Sequence, residues 1–283
     1  MIGFVDMGGG MRGIYGAGVA DCFLENDINF DYCIGVSAGS ANIASFLAGQ
    51  KGRNYKFYTE FAMRKEYMGF DSFFKNGSFF NLDYVYSVLS NSDGEYPLDY
   101  DAMMNNKSEF AVVATDAATG KAEYFYKNSF KKDNYTAIKA SSSVPVANKP
   151  YFIDGKAYYD GGVSDPIPFE KAFADGCDKV VVVLTKPRDF IKKPEPMQKV
   201  MKIELSRYPN VFKAIANRHN LYNESVKKLL EYEKEGRAVI LAPDTLNGMN
   251  MTTKNHKVLD EIYQKGFDDA LKIIRLRSES NGT

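Results

Sequence analysis

Cysteine is scarce: Cys22, Cys33 and Cys177 are the only three in 283 residues. An odd number, widely spaced in apolar surroundings, excludes a disulfide framework and any Cys-x-x-Cys metal site, so buried free thiols are expected. Histidine is scarcer still, with His219 and His256 alone. No metal-ligand cluster is visible, and neither a metal nor a cofactor is expected. Excess charge is absent too, since 36 Lys plus Arg balance 36 Asp plus Glu. That excludes the basic surplus of a nucleic-acid binder. Long apolar runs are missing, none approaching the ~18 residues that suggest a membrane span. The opening Met-Ile-Gly-Phe-Val-Asp has neither a basic region nor a cleavage site, so no signal peptide is read. A soluble cytoplasmic protein is expected, with peripheral membrane contact left open. What the chain does have is apolar substance: 45% hydrophobic residues suffice for one large domain, or one with an appendage.

Three stretches carry chemistry. In the first, Asp31 to Val36 reads as a short buried strand and Ala38 begins a helix, with Gly35-Val36-Ser37-Ala38-Gly39 as the turn between them. A strand that bends straight into a helix strains its turn residue and needs small neighbours, which Gly35, Ala38 and Gly39 supply. The Ser37 hydroxyl is then pushed out above a helix N-terminus that favours an oxyanion. In the second, the strand Ile2–Asp6 runs into Gly8-Gly9-Gly10-Met11-Arg12-Gly13. Consecutive glycines let backbone N–H groups converge on a phosphate or a developing oxyanion. In the third, Asp160-Gly161-Gly162 ends a strand, and the glycines permit close backbone approach.

The remaining chain reads as a parallel sheet with helices on its faces. Residues 54–100 hold fourteen Phe and Tyr, either as helices packing on the sheet or as the lining of an apolar substrate channel. Asn81 is a candidate cap for a helix over 82–90. Phe110–Thr115 is a buried strand with a hairpin partner at 122–126. Asp154-Gly155 predicts a second hairpin whose outgoing strand delivers Asp160. Lys179–Leu184, apolar on both faces, is a central strand. Residues 186–196 form a Pro- and Lys-rich connector. Beyond it come a helix over 209–235, a strand at 237–243 and helical residues over 252–277, with Gly266 as a candidate break. The final Ser-Glu-Ser-Asn-Gly-Thr is expected to fray.

A serine nucleophile needs a base and donors for its oxyanion. Asp160, His219 and His256 are the base candidates. The order Ser37, Asp160, His256 could mimic an α/β-hydrolase triad, but only one strand precedes the Ser37 turn, where several precede it in those enzymes. Both histidines sit among polar residues and read as structural. A Ser37–Asp160 dyad remains. Gly9 and Gly10, with Met11, are the expected oxyanion donors, and Arg12 either binds a phosphate head group or braces the loop. Ser141, Ser142 and Ser143 read as a helix C-terminus before Pro145.

Taken together, Gly8–Gly13, Gly35–Gly39 and Asp160–Gly162 resemble the patatin-like phospholipase family, in order and spacing, and Ala140–Pro145 looks like a stretch that family carries before its aspartate. The resemblance covers about residues 1–185 and implies a three-layer α/β/α fold with a mostly parallel sheet. It also implies a Ser37–Asp160 dyad and lipid esters as substrates. Residues 186–283 carry none of the motifs and are expected as a mostly helical extension on the same globule. Two other readings compete. Gly8-x-Gly10-x-x-Gly13 matches a dinucleotide fingerprint, but the place for its ribose-binding acid, about 20 residues on, is taken by the Ser37 turn. A non-catalytic regulatory protein is the third, against which intact Ser37 and Asp160 argue.

Overall fold

The computed structural model describes residues 1–281; Gly282 and Thr283, the tip of the expected fray, lie outside the described residues. The strands are β1 Ile2–Asp6, β2 Tyr32–Val36, β3 Glu109–Asp116, β4 Ala122–Tyr126, β5 Tyr151–Ile153, β6 Lys156–Asp160, β7 Lys179–Val183 and β8 Ala238–Leu241. The helices are α1 Ile14–Glu25, α2 Ala38–Leu47, α3 Arg53–Thr59, α4 Phe70–Asn76, α5 Tyr100–Asn105, α6 Thr136–Ser141, α7 Phe169–Ala174, α8 Gln198–Glu204, α9 Pro209–Lys234 and α10 His256–Asn281.

One eight-stranded sheet organises them, in the order β5-β6-β3-β2-β1-β7-β8, with β4 also on β3. From β3 to β8 the pairings are parallel, and β4, β5 and β6 pair antiparallel. The central strands are short apolar runs because both sheet faces are covered. On one face Phe4, Cys33 and Phe110 pack with α1, α2, α10 and the aromatic segment. On the other, Val5, Ile34 and Val182 pack with α7 and α9. Alternate residues of each strand therefore feed two separate cores, which makes three layers. The expected hairpin turn is present: Asp154 and Gly155 both have positive φ, at 48° and 77°. Asn81 caps as expected, its side chain accepting from the Tyr84 N–H at 3.0 Å, although the turn it starts is a π-helix over Tyr84–Leu89.

Residues 186–283 contribute to the same sheet. β8 extends it beside β7, α9 covers one face and α10 the other. Gly266 does not break the last helix, which runs unbroken from His256 to Asn281 and so continues through the first residues of the expected fray. Its smallness serves packing instead. A Cβ at Gly266 would lie 2.1 Å from the Tyr15 carbonyl oxygen, and one at Gly18 the same distance from that of Tyr263. The α1–α10 crossing is thus tight enough for backbones to touch, and Tyr15–Asp269 and Tyr263–Asp21 hydrogen bonds of 2.8 Å flank it. Gly266→Ala should destabilise the protein by about 1–3 kcal/mol through overpacking. Thermal unfolding measures this, at about 2–4 °C per kcal/mol for a chain of this order of size. An unchanged Tm would mean the crossing can open at little cost.

Candidate active site

Ser37 sits at the carboxyl end of β2, between strand and helix, with φ 54° and ψ −131°. This sparsely populated backbone conformation is held by its neighbours. A Cβ at Gly35 would lie 2.4 Å from the Ser40 Cα, and one at Gly39 2.3 Å from the Asp6 carbonyl oxygen. Both glycines of the motif are therefore required by close backbone approach. The Ser37 N–H donates to Ser141 Oγ at 2.8 Å, and the Ser40 hydroxyl donates to the Ser37 carbonyl at 2.6 Å. Ser141, read from sequence as an ordinary helix end, thus fixes the turn.

The glycine loop lies beside it. Gly8, Gly9 and Gly10 all have positive φ, at 65°, 124° and 61°. A Cβ at Gly8 would fall 2.2 Å from the Val36 carbonyl oxygen, so the loop rests directly on the Ser37 turn. Buried Asp6 holds the loop, accepting from the Gly8 N–H at 2.8 Å and from Asn42 Nδ2 at 2.9 Å. Burial pushes its carboxyl up to about 6, against the pull of those two donors. Thr185 fixes the other side by donating to the Gly8 carbonyl. The N–H groups of Gly9 and Gly10 donate to no partner among the described residues. Met11 differs from expectation: its N–H donates to the Met251 carbonyl at 3.1 Å, so that donor is occupied. A loop from the far end of the chain has used it.

Asp160 ends β6, where its side chain accepts from the Gly162 N–H at 2.8 Å. Its own N–H donates to the Ser143 carbonyl, and Thr115 donates to its carbonyl. A Cβ at Gly161 would lie 2.2 Å from the Val113 carbonyl oxygen, which explains the first glycine after it. Asp160 is 5% exposed and Ser37 9%. Burial raises the Asp160 pKa above the ordinary carboxylate value. The Arg218 charge, hydrogen bonding from Ser37 and the Gly162 N–H oppose that rise. The structure therefore brings Ser37, Asp160 and the free glycine N–H groups together. His219 lies half-buried on α9 and His256 exposed at the start of α10, and neither lines a pocket that contains Ser37.

Two cavities meet at Ser37. One is apolar and narrow, about 40 Å³, and seven of the fourteen aromatic residues of 54–100 line it, Phe57, Tyr67 and Tyr86 among them. Gly10 opens onto this side. The other, about 260 Å³, holds Asp160, Gly9, Arg12, Lys186, Lys192 and Arg218. Sequence reading missed Lys186, Lys192, Arg218 and Met251 as neighbours of Ser37, because nothing local marks a lysine in a connector or an arginine on an amphipathic helix. Among the described residues no group of three or more His, Cys, Asp or Glu could hold a metal ion, and no helix is long and apolar enough to cross a membrane. The three cysteines are free and buried.

Comparison with known proteins places this geometry. A patatin-like phospholipase family model matches residues 7–173, and a model of a domain of unknown function matches residues 208–277. An uncharacterized protein, YjjU of Escherichia coli (strain K12), is 30% identical over 199 residues, 69% of this chain and 54% of the relative. An uncharacterized NTE family protein of Mycobacterium bovis, Mb1092c, is 31% identical over 74 residues, 26% of this chain and 19% of that protein. The chain thus spans about half the length of the first relative and less of the second. Among solved structures, VipD from Legionella pneumophila aligns with a TM-score of 0.47 at 12% identity, over 97% of this chain and 66% of that one. The family match covers the glycine loop, the Ser37 turn and Asp160, and it takes in more than half of the residues. This chain belongs to the patatin-like phospholipase family, a family of lipid hydrolases.

Proposed function

We propose that the protein is a serine acyl hydrolase acting on carboxylic esters of fatty acids. The carrying observation is that Ser37 and a buried carboxylate, Asp160, line one cavity, beside a glycine loop with two unpartnered backbone donors. Ser37 Oγ attacks the ester carbonyl carbon while Asp160 takes its proton. The carbonyl oxygen becomes an oxyanion, and the N–H groups of Gly9 and Gly10 receive it. The carbon–oxygen bond to the alcohol then breaks, and the alcohol leaves with the proton from Asp160. Water attacks the acyl–Ser37 ester by the same route, giving its proton to Asp160, which returns it to Ser37 Oγ as the fatty acid departs. Burial of Asp160 favours this chemistry, since an aspartate at its ordinary ~3.9 is a weak base near neutrality. The aromatic cavity suits an acyl chain.

The test is hydrolysis of p-nitrophenyl esters over a series of acyl lengths, with His219→Ala and His256→Ala beside the wild type. Rates should depend on chain length, and both histidine variants should keep the wild-type kcat/KM. Loss of activity in a folded His256→Ala protein would require a triad. No hydrolysis at any length would remove the esterase reading.

A further inference from the structure

The larger cavity beside Ser37 carries charge that the acyl-transfer reading does not use. Four cations, Arg12, Lys186, Lys192 and Arg218, face it against two acids, Asp160 and Glu195. Even with both acids ionised, two positive charges are left over. Lys192 spends part of its charge on Glu195 at 2.7 Å, and Arg218 reaches the same carboxylate at 3.7 Å. Arg12 has no ion pair among the described residues, and its Nε lacks a hydrogen-bond partner. The Arg218 Nε is also without a partner, and so is the hydroxyl of Tyr222, a residue only 3% exposed on the cavity wall. Buried donors without acceptors are uncommon, and each one calls for an explanation.

The arrangement is built rather than incidental. The connector bearing Lys186 and Lys192 is pinned to α9, where Asn223 accepts from the Lys192 N–H at 2.8 Å and donates to the Lys192 carbonyl at 3.0 Å. The same helix supplies Arg218 and Tyr222. Lys186, Lys192, Arg218 and Tyr222 all lie beyond the family match, which ends at residue 173. The cations also act on one another. Burial, then the charge of Arg218, brings Arg12 down to about 10, and burial with neighbouring cations lowers Lys186 and Lys192. An anion in the cavity would relieve that repulsion and supply the missing acceptors together.

We infer that this cavity is a phosphate-binding subsite, in which Arg12, Lys192, Arg218 and Tyr222 hold a phosphate group next to Ser37. In the lipid case, which rests on the esterase reading, the phosphate belongs to the substrate head group. The acyl chain then lies in the aromatic cavity on the other side of Ser37. In the other case it is free phosphate, occupying the site as an inhibitor.

Inorganic phosphate is the first probe, titrated against the full chain with chloride at matched ionic strength. Phosphate should raise Tm more than chloride does. It should also raise KM for a neutral p-nitrophenyl ester while kcat stays constant. Lys192→Gln and Arg218→Gln should each weaken phosphate binding about tenfold, the usual scale for one charge-assisted hydrogen bond. Lys192 is on the connector, so its variant carries the test if Arg218→Gln does not fold. A phosphate effect no greater than that of chloride, or one unchanged in Lys192→Gln, overturns the subsite. The second probe compares a short-chain phosphatidate with a diacylglycerol of equal chain length. A wild-type preference for phosphatidate that collapses in Lys192→Gln assigns the site to a head group. Phosphate binding without that preference assigns it to free phosphate. A wild type that hydrolyses no ester leaves the Tm titration intact, so failure of the esterase reading and failure of the subsite are separable.

Discussion

Ser37→Ala should lower kcat on a fatty ester by about 10⁴–10⁶-fold, the scale reached when a serine nucleophile is removed, with Tm nearly unchanged. The two halves of the expectation have different physical origins. In the proposed mechanism activity depends on the hydroxyl, the group at the turn that would form the acyl intermediate and that shares its cavities with Asp160 and the glycine loop. Stability depends on the backbone. Alanine keeps the Cβ and tolerates φ 54° about as badly as serine does, so the strain is not altered. The bond from the residue 37 N–H to Ser141 Oγ needs no side chain at 37. The Ser40 hydroxyl bond to the residue 37 carbonyl is kept as well. Ester hydrolysis and circular dichroism on the same preparation decide the matter. Wild-type rates in a folded Ser37→Ala protein would dismiss the nucleophile outright.

For Asp160→Asn the expected loss is about 10²–10⁴-fold in kcat, the usual worth of a general base, together with a gain in stability at neutral pH. Asparagine can still accept from the Gly162 N–H, so the turn survives. It cannot take the Ser37 proton. The pH behaviour follows from the direction of the shift. The Asp160 pKa is raised in the folded protein, chiefly by burial. The base must be ionised to act, so wild-type kcat/KM should fall in acid, with a midpoint above the ordinary carboxylate range. Stability runs the opposite way. A raised folded-state pKa means that folding penalises the ionised form. Above the folded-state pKa the wild type bears that penalty in full, and it disappears as pH falls toward the unfolded value near ~3.9. Asp160→Asn should therefore raise Tm most near neutrality, with the gain shrinking through that window. An acid limb at the ordinary carboxylate value, or no gain in Tm, would mean that the side chain is better solvated than its 5% exposure implies.

Much of the fold was legible because its cues are local. The β7 run Lys-Val-Val-Val-Val can only be a strand covered on both faces. Asp154-Gly155 sets a two-residue turn from its own backbone preferences. Gly266 was misleading for the complementary reason. Glycine is a poor helix former, so a break is the local expectation, yet the Tyr15 carbonyl leaves no room for any Cβ there. Met11 repeats the point at the site. Its place in the glycine loop suggests a free donor, and only the approach of Met251, 240 residues away in sequence, shows the donor taken.

By itself the sequence determined the strand–turn–helix at Ser37, the glycine loop before it and the family those motifs mark. Backbone conformation is set within a few residues, and glycine at 8, 9, 10, 35 and 39 meets demands that other residues cannot. The motifs already pointed to Asp160 as the carboxylate; only the tertiary structure decided which loop N–H groups stay free, and how Lys192 and Arg218 come to stand beside a motif that begins at residue 8. These depend on contacts between residues 100 or more apart and on burial. Both arise from how α9, α10 and β8 close over the sheet, and neither leaves a local trace in the chain.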